Sequence, residues 1–166
     1  MHIRKALPCD MEAILNVYEK ARRFMADTGN PTQWAGGYPQ RNLLEKDIEC
    51  EQLYVVETNG CIHAVFFLAG GIDPTYINIE NGEWLNDRPY GVIHRIASDG
   101  TQHGVLPFCV EFCKQYFDEL RIDTHEDNAV MQHLLQKNGF VRCGIIRLAN
   151  GDARIAYQYS SHGEKV

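Results

Sequence analysis

The sequence predicts an α/β domain in which one twisted, mixed β-sheet is flanked by about four helices. Runs of hydrophobic residues with a helical period alternate along the chain with short β-rich runs. Two of the β-rich runs are separated by Asn59-Gly60, the strongest short signal for a hairpin turn. The 166 residues contain no repeat or linker-like tract and match roughly one domain at the usual ~150 residues. We therefore predict a single domain over residues 1–166.

The first half of the chain predicts three strands and two helices. Asp10 is the expected N-cap of the first helix, because it precedes apolar residues with the period of a helix. The segment 70–88 is rich in turn-forming residues and predicts no regular element. In order, we expect a strand at 2–7, a helix from 10 until 28–31, a loop at 33–40, a helix at 42–51, and a hairpin of strands 53–58 and 61–69.

The second half predicts a strand at 90–98 and then a polar, glycine-containing turn. On that strand Val92, His94, Ile96 and Ser98 are expected on one face, with the residues between them on the other. Asp127 or Asn128 is the expected cap of a late helix that Gly139 stops. The remaining predicted elements are a helix at 105–117, a strand at 120–124, and a final hairpin of 140–148 and 153–159.

Composition excludes several classes of function. The formal net charge is −6 and no basic run exceeds two residues, so neither a nucleic-acid partner nor a membrane-surface helix is expected. The longest strongly apolar stretch, 64–72, is far shorter than the ~20 residues that span a bilayer. The six cysteines form no C-x-x-C pair, which predicts no metal site and suits a reducing cytoplasm. We expect a soluble, cytoplasmic protein.

The segment 90–117 carries the first chemical signal, a strand followed by a glycine turn and a helix. Gly100 and Gly104 allow the backbone to approach a ligand closely. The helix N-terminus offers unpaired N–H groups and a partial positive charge, which suit a phosphate or diphosphate. Neither a Walker loop nor a Rossmann fingerprint is present. A plain structural turn before a helix remains an open alternative.

A second signal is the segment from Asn128 to Phe140, which runs from a helix into a strand. Here the chain resembles the GCN5-related N-acetyltransferases (GNAT family), whose pattern is N-x-x-A-x-x-L-Y-x-K-x-G-F. The residues that agree are Asn128, Leu134, Lys137, Gly139 and Phe140. Met131 replaces the small residue, and Leu135 stands where the family often has Tyr. The order of the predicted elements also resembles the family over essentially the whole chain.

The resemblance implies that acetyl-CoA is the cofactor and that its acetyl group is transferred to a primary amine. A splayed pair of strands is then expected to form the acyl-CoA cleft. The family's loop R/Q-x-x-G-x-G/A is only partly kept, since Asp99 stands first and the usual Arg is missing. Backbone groups must therefore do most of the anion binding. The implied cofactor-binding residues are Ile96, Ala97, Ser98, Gly100, Gln102, His103, Gly104, Val105 and Asn128.

The catalytic groups are less defined than the cofactor site. A protonated amine has to lose its proton, and His94 is our candidate base because it shares a strand with the expected cofactor edge. A hydrogen-bonded core histidine is the alternative for His94, and Glu80 and Glu83 are rival bases. Because Leu135 cannot protonate the leaving thiolate, Tyr157, Tyr159 or water would have to do so.

The acceptor is expected near the aromatic residues Trp34, Trp84 and Tyr90, whose rings can stack on an amine; they can equally fill the edge of the core. Tyr38 falls in the same part of the chain. The sequence identifies neither the acceptor amine nor the oligomeric state, although a homodimer is permitted. An alternative function is a non-catalytic acyl-CoA sensor or an interaction domain that keeps the fold.

Overall fold

The computed structural model describes residues 1–163, which form seven strands and four helices. Three short 3₁₀ turns lie between them. The strands are β1 (His2–Lys5), β2 (Leu53–Thr58), β3 (Cys61–Gly70), β4 (Gly91–Ser98), β5 (Glu119–Thr124), β6 (Val141–Arg147) and β7 (Ala153–Ser160). The helices are α1 (Met11–Asp27), α2 (Arg41–Glu49), α3 (Val105–Cys113) and α4 (Ala129–Lys137).

All seven strands belong to one open, mixed sheet in the order β1-β2-β3-β4-β5-β7-β6. β1 with β2, β2 with β3, β5 with β7 and β6 with β7 are antiparallel. β4 is parallel to β5, with Gly91 opposite Leu120 and Val92 opposite Arg121. The predicted α/β class, mixed sheet and four helices are therefore confirmed.

Most of the predicted elements are present within a few residues of their expected bounds. The Asn59-Gly60 hairpin is confirmed, and both residues have the positive φ that a tight hairpin turn requires. α3 ends at Cys113 rather than 117, because Gln115 and Tyr116 donate to carbonyls three residues back and the chain tightens.

Asp10 stands at the expected N-cap position but does not cap α1 with its side chain. A 3₁₀ turn over Pro8–Asp10 precedes the helix, so Asp10 already has helical dihedral angles. Its carboxylate instead accepts hydrogen bonds from the Leu7 N–H at 2.8 Å and from Arg4 at 2.6 Å. The prediction of a side-chain cap was wrong for this reason.

The chain divides into two compact units, which are described separately. Unit 1 comprises Met1–Leu68 and His94–Cys109, and unit 2 comprises Ala69–Ile93 and Val110–Val166. In unit 1 the apolar faces of α1 and α2 pack on the sheet; fully buried members of this core include Ile14, Tyr18, Leu44, Leu53 and Val55. No helix among residues 1–163 is long and apolar enough to cross a membrane.

Unit 2 contains the segment 70–88, for which the sequence predicted no element. This segment packs on the face of β5 that carries Glu119, Arg121 and Asp123. The Tyr76 hydroxyl donates to Asp123 at 2.6 Å, and the Asn86 carbonyl accepts from Arg121 at 2.8 Å. These hydrogen bonds hold the segment together with the apolar packing of Tyr76, Ile79 and Trp84 and a backbone bridge from Glu80 to Ile145.

Candidate active site

β4 carries the candidate base and the expected cofactor edge, and it contains a backbone irregularity at Arg95. The φ angle of Arg95 is +50°, although strand residues are normally extended. Regular alternation of side chains requires every residue to be extended. Gly91 to Ile93 are all buried, and His94 to Ile96 are all half-buried. The prediction of two alternating faces along this strand was therefore wrong.

Arg95 is held by residues from three other elements of unit 1. The Tyr18 hydroxyl on α1 donates to the Arg95 carbonyl at 2.8 Å. The guanidinium donates to the Asp47 carboxylate on α2 and lies 4.8 Å from the centroid of the Phe67 ring on β3. The Arg95 and Asp47 side chains are only 11% and 8% exposed. Burial raises the pKa of Tyr18, so its hydroxyl stays protonated and remains a donor.

The ion pair between Arg95 and Asp47 was not predicted from the sequence. A signal for it exists, because Asp47 lies between Leu44 and Ile48 on the buried face of α2. An acidic residue on an apolar helix face requires a buried partner. Arg95, a basic residue inside an apolar strand, is the oppositely charged partner of Asp47.

His94 is half-buried in unit 1, and its ring centroid lies 5.8 Å from that of Phe67. Trp34 lies in the loop after α1, and its ring meets the Tyr18 ring edge-on at 5.6 Å. In that position Trp34 packs against the core of unit 1. The roles of His94 as base and of Trp34 in acceptor binding stay predictions.

The turn between β4 and α3 has the features expected of an anion-binding loop. Gly100 and Gly104 have φ angles of +78° and +70°, and a Cβ on either glycine would meet open space. In the described part of the chain, the N–H groups of Gln102, His103 and Gly104 find no acceptor. Free N–H groups ahead of a helix fit the diphosphate of a coenzyme A molecule.

Asp99, the acidic residue at the start of this loop, is held by hydrogen bonds from its neighbours and lies near a lysine. It accepts from the Thr101 N–H at 3.0 Å and the Thr101 hydroxyl at 2.6 Å. His63 Nδ1 lies 3.3 Å and Lys20 Nζ 3.7 Å from its other oxygen. Burial acts to raise the pKa of Asp99, but the bonds from Thr101 and His63 hold it below its ordinary value.

The Thr101 hydroxyl also lies 2.8 Å from His63 Nδ1, so Asp99, Thr101 and His63 form one hydrogen-bonded cluster. The cluster fixes the start of the loop, and Lys20 brings from α1 a positive charge that the loop sequence lacks.

In unit 2, the aromatic residues expected at the acceptor already enclose a cation of the chain itself. The Arg121 guanidinium carbon lies 4.1 Å from the centroid of Trp84 and 3.9 Å from that of Tyr90. Trp84 Nε1 also donates to the Tyr76 carbonyl at 2.9 Å. This geometry agrees with the alternative that these rings fill the edge of the core.

Asn128 and the rival catalytic groups also lie in unit 2. The Asn128 side chain accepts from the Met131 N–H at 3.1 Å and so caps α4. Glu80, one of the two rival bases, forms an ion pair with Arg147 at 3.2 Å. Leu135 is fully buried.

The two tyrosines considered as proton donors differ in their surroundings. The Tyr157 hydroxyl is buried and has no hydrogen-bond partner among the described residues. Burial raises the pKa of Tyr157, which keeps its proton in place. Tyr159 packs against Phe140, with Lys114 Nζ 4.3 Å from its ring centroid. The role of either tyrosine as the acid stays a prediction.

Comparison with solved structures relates this arrangement to known proteins. The chain is 34% identical to an acetyltransferase of the GNAT family from Streptococcus agalactiae 2603, with a TM-score of 0.88. The alignment covers 99% of this chain and 96% of that one. The chain belongs to the GNAT family of acetyltransferases. The resemblance first indicated by the segment from Asn128 to Phe140 is thereby confirmed.

More distant acetyltransferases share the fold. One from Listeria monocytogenes 4b F2365 is 19% identical, with a TM-score of 0.71, and the match covers 96% of this chain and 94% of that chain. A ribosomal-protein-alanine N-acetyltransferase from Brucella melitensis is 16% identical, with a TM-score of 0.62, and the match covers 96% and 99%. No protein-family model matches the sequence, and no curated protein does.

Proposed function

We propose that this GNAT enzyme transfers the acetyl group of acetyl-CoA to a primary amine of a small molecule or a peptide. The observation that carries the proposal is the loop 99–104, whose free N–H groups and left-handed glycines directly precede α3. The proposal treats residues 1–166 as one functional domain. It also includes a cytoplasmic location, which the six free cysteines support.

Each part of the reaction is assigned to residues of this chain. The N–H groups of Gln102 to Val105 would bind the diphosphate, and the edge from Ile96 to Ser98 would bind the pantetheine arm through its main chain. Acetyl-CoA supplies an activated thioester. One N–H group of the edge would polarise the thioester carbonyl. His94 would take the proton of the amine, directly or through water, and Tyr157, Tyr159 or water would return a proton to the thiolate.

The first test is a thermal shift with acetyl-CoA, with CoA and ADP as controls. At 100 times its Kd, a ligand of the native state adds ~2.7 kcal/mol of stability. For a chain of this length that is a rise in Tm of roughly 5–10 °C. A shift that exceeds the shift with ADP supports binding of the pantetheine arm. Its absence at millimolar acetyl-CoA would refute the cofactor proposal.

The second test is turnover with a panel of amines, in which released CoA is separated by chromatography because exposed cysteines would react with thiol reagents. Release with any amine supports the transferase; tight binding without release would support the non-catalytic sensor. His94→Gln is expected to lower kcat by roughly 10²–10⁴ and to leave the Kd of acetyl-CoA unchanged. Unchanged kcat would refute the role of His94.

The loop has its own variant, Gly104→Val. Gly104 has a φ of +70°, where a β-branched residue is strained. The substitution is therefore expected to rotate the N–H groups away from the diphosphate and raise the Kd of acetyl-CoA. An unaltered Kd would show that the cofactor binds elsewhere.

A further inference from the structure

Arg95 is the one residue of the described chain that combines a positive φ, a side chain other than that of glycine, and a place inside a strand. The other three non-glycine residues with positive φ are Glu51, Asn59 and Asn81, and all lie between strands or helices. Left-handed backbone in a residue with a Cβ is unfavourable. It persists only where the surroundings over-determine it, and such sites are often functional.

The surroundings of Arg95 meet that condition. Its carbonyl, its charge and its planar guanidinium are each held by a different residue, namely Tyr18, Asp47 and Phe67. These contacts come from α1, α2 and β3. A strand held in this way at one residue cannot rotate there without breaking a buried hydrogen bond or ion pair.

The hydrogen bond from Tyr18 has a consequence for the next residue. A trans peptide group is planar, so the carbonyl of Arg95 and the N–H of Ile96 point in opposite directions. Holding the carbonyl at 2.8 Å from the Tyr18 hydroxyl therefore directs the Ile96 N–H away from α1. Ile96 begins the edge proposed to bind the pantetheine arm.

We propose that Tyr18 and Arg95 are positioning residues that aim the Ile96 N–H at the thioester carbonyl of the bound acetyl donor. Asp47 and Phe67 keep Arg95 in the conformation that this requires. The inference rests on the proposed function, because it assigns a task within that same site. Tyr18 acts through Arg95 and touches no reacting atom.

The test uses a pair of matched variants, Tyr18→Phe and Tyr76→Phe. Both tyrosines are buried, and each donates one hydrogen bond through its hydroxyl, Tyr18 to a carbonyl at 2.8 Å and Tyr76 to Asp123 at 2.6 Å. Each variant removes one oxygen atom and one buried hydrogen bond. Tyr76→Phe should lose at least as much thermal stability as Tyr18→Phe, because its hydroxyl donates to a carboxylate. A larger change of the acetyl-CoA carbonyl band in Tyr18→Phe is therefore not a stability effect.

The readout is the infrared carbonyl band of acetyl-CoA labelled with ¹³C at the carbonyl carbon. A directed N–H lowers the frequency of this band in the complex with the unaltered protein, relative to free acetyl-CoA. Tyr18→Phe is expected to move the band back toward the free frequency and to lower kcat by about tenfold. Tyr76→Phe is expected to keep the lowered frequency.

Three results would overturn the inference: an unchanged band in Tyr18→Phe, an equal shift in both variants, or no lowering in the unaltered protein. If the unaltered protein binds no acetyl-CoA, the proposed function fails first, and the thermal shift reports that failure separately. Should Tyr18→Phe not fold, Asp47→Asn removes the charge that holds Arg95 and is expected to move the band in the same way. An unmoved band in that variant would overturn the inference.

Discussion

The ring of Phe117 in unit 2 makes the stability of the start of β4 sensitive to one methyl group. A Cβ added at Gly91 would lie 2.5 Å from Cδ2 and 2.6 Å from Cγ of Phe117. Ordinary carbon contacts begin near 3.5 Å, so the ring or the strand has to move by about 1 Å. The ring also lies close to Gly70, where an added Cβ would be 2.9 Å from its Cε1 atom.

Gly91→Ala is therefore expected to lower the free energy of unfolding by ~1–3 kcal/mol, the usual range for overpacking. For a chain of this length, 2 kcal/mol corresponds to a fall in Tm of about 4–8 °C. Thermal unfolding followed by circular dichroism measures the fall. Gly70→Ala, with a longer closest contact, should lower Tm by less.

The double variant Gly91→Ala/Phe117→Leu isolates the clash from other effects of the added methyl group. If the ring causes the loss, the two substitutions are not additive, and the double variant is more stable than their sum predicts. An unchanged Tm in Gly91→Ala, or strict additivity in the double variant, would refute the explanation.

Three further predictions concern charge and thiols. Glu119 is 1% exposed; burial acts to raise its pKa, but bonds from Asn86, Ser160 and Gln158 outweigh this and hold the pKa below its ordinary value. The ionised Glu119 stabilises the fold fully above the unfolded carboxyl pKa of ~4.3, and this stabilisation is lost as the pH falls through the lower folded pKa. In Glu119→Gln, Tm should therefore depend less steeply on pH below about pH 4 than it does in the unaltered protein. Burial raises the pKa of Cys113 to about 12, and a thiol reagent at pH 8 should react rapidly only with the exposed Cys9, Cys50 and Cys61; six rapid thiols would contradict the buried positions. Lys20→Gln removes the positive charge beside Asp99 and should raise the Kd of acetyl-CoA about fivefold at low salt and little at high salt. Lys46→Gln is the control, and equal effects in both variants would exclude a specific role for Lys20.

The elements that sequence analysis predicted well are those set by local chemistry. Asn59-Gly60 specifies a tight turn through two residues that tolerate positive φ, and the strands on either side follow from β-rich composition. Asn128 caps α4 and Gly139 ends it with a φ of +85°, as expected from residue type alone. Such features depend on a few neighbouring residues and can be predicted from one sequence.

The features that were missed depend on contacts between distant residues. Arg95 and Asp47 are 48 positions apart, and the irregular backbone at Arg95 follows from contacts that no periodicity encodes. The segment 70–88 is held by hydrogen bonds to β5 and by apolar side chains at irregular spacing, so no helical or strand period marks it. Trp84 and Tyr90 stack on Arg121 of the same chain, a contact that depends on β5 and that the sequence did not predict.

The two tryptophans of the chain fall one in each unit. Trp34 meets the Tyr18 ring, and Trp84 lies against the Arg121 guanidinium, so the two indoles have different surroundings and should differ in emission. Replacing either one by phenylalanine leaves a fluorophore that reports on a single unit. The protein thus contains its own pair of local optical probes, and coincident unfolding midpoints from the two would establish that both units melt in one cooperative transition.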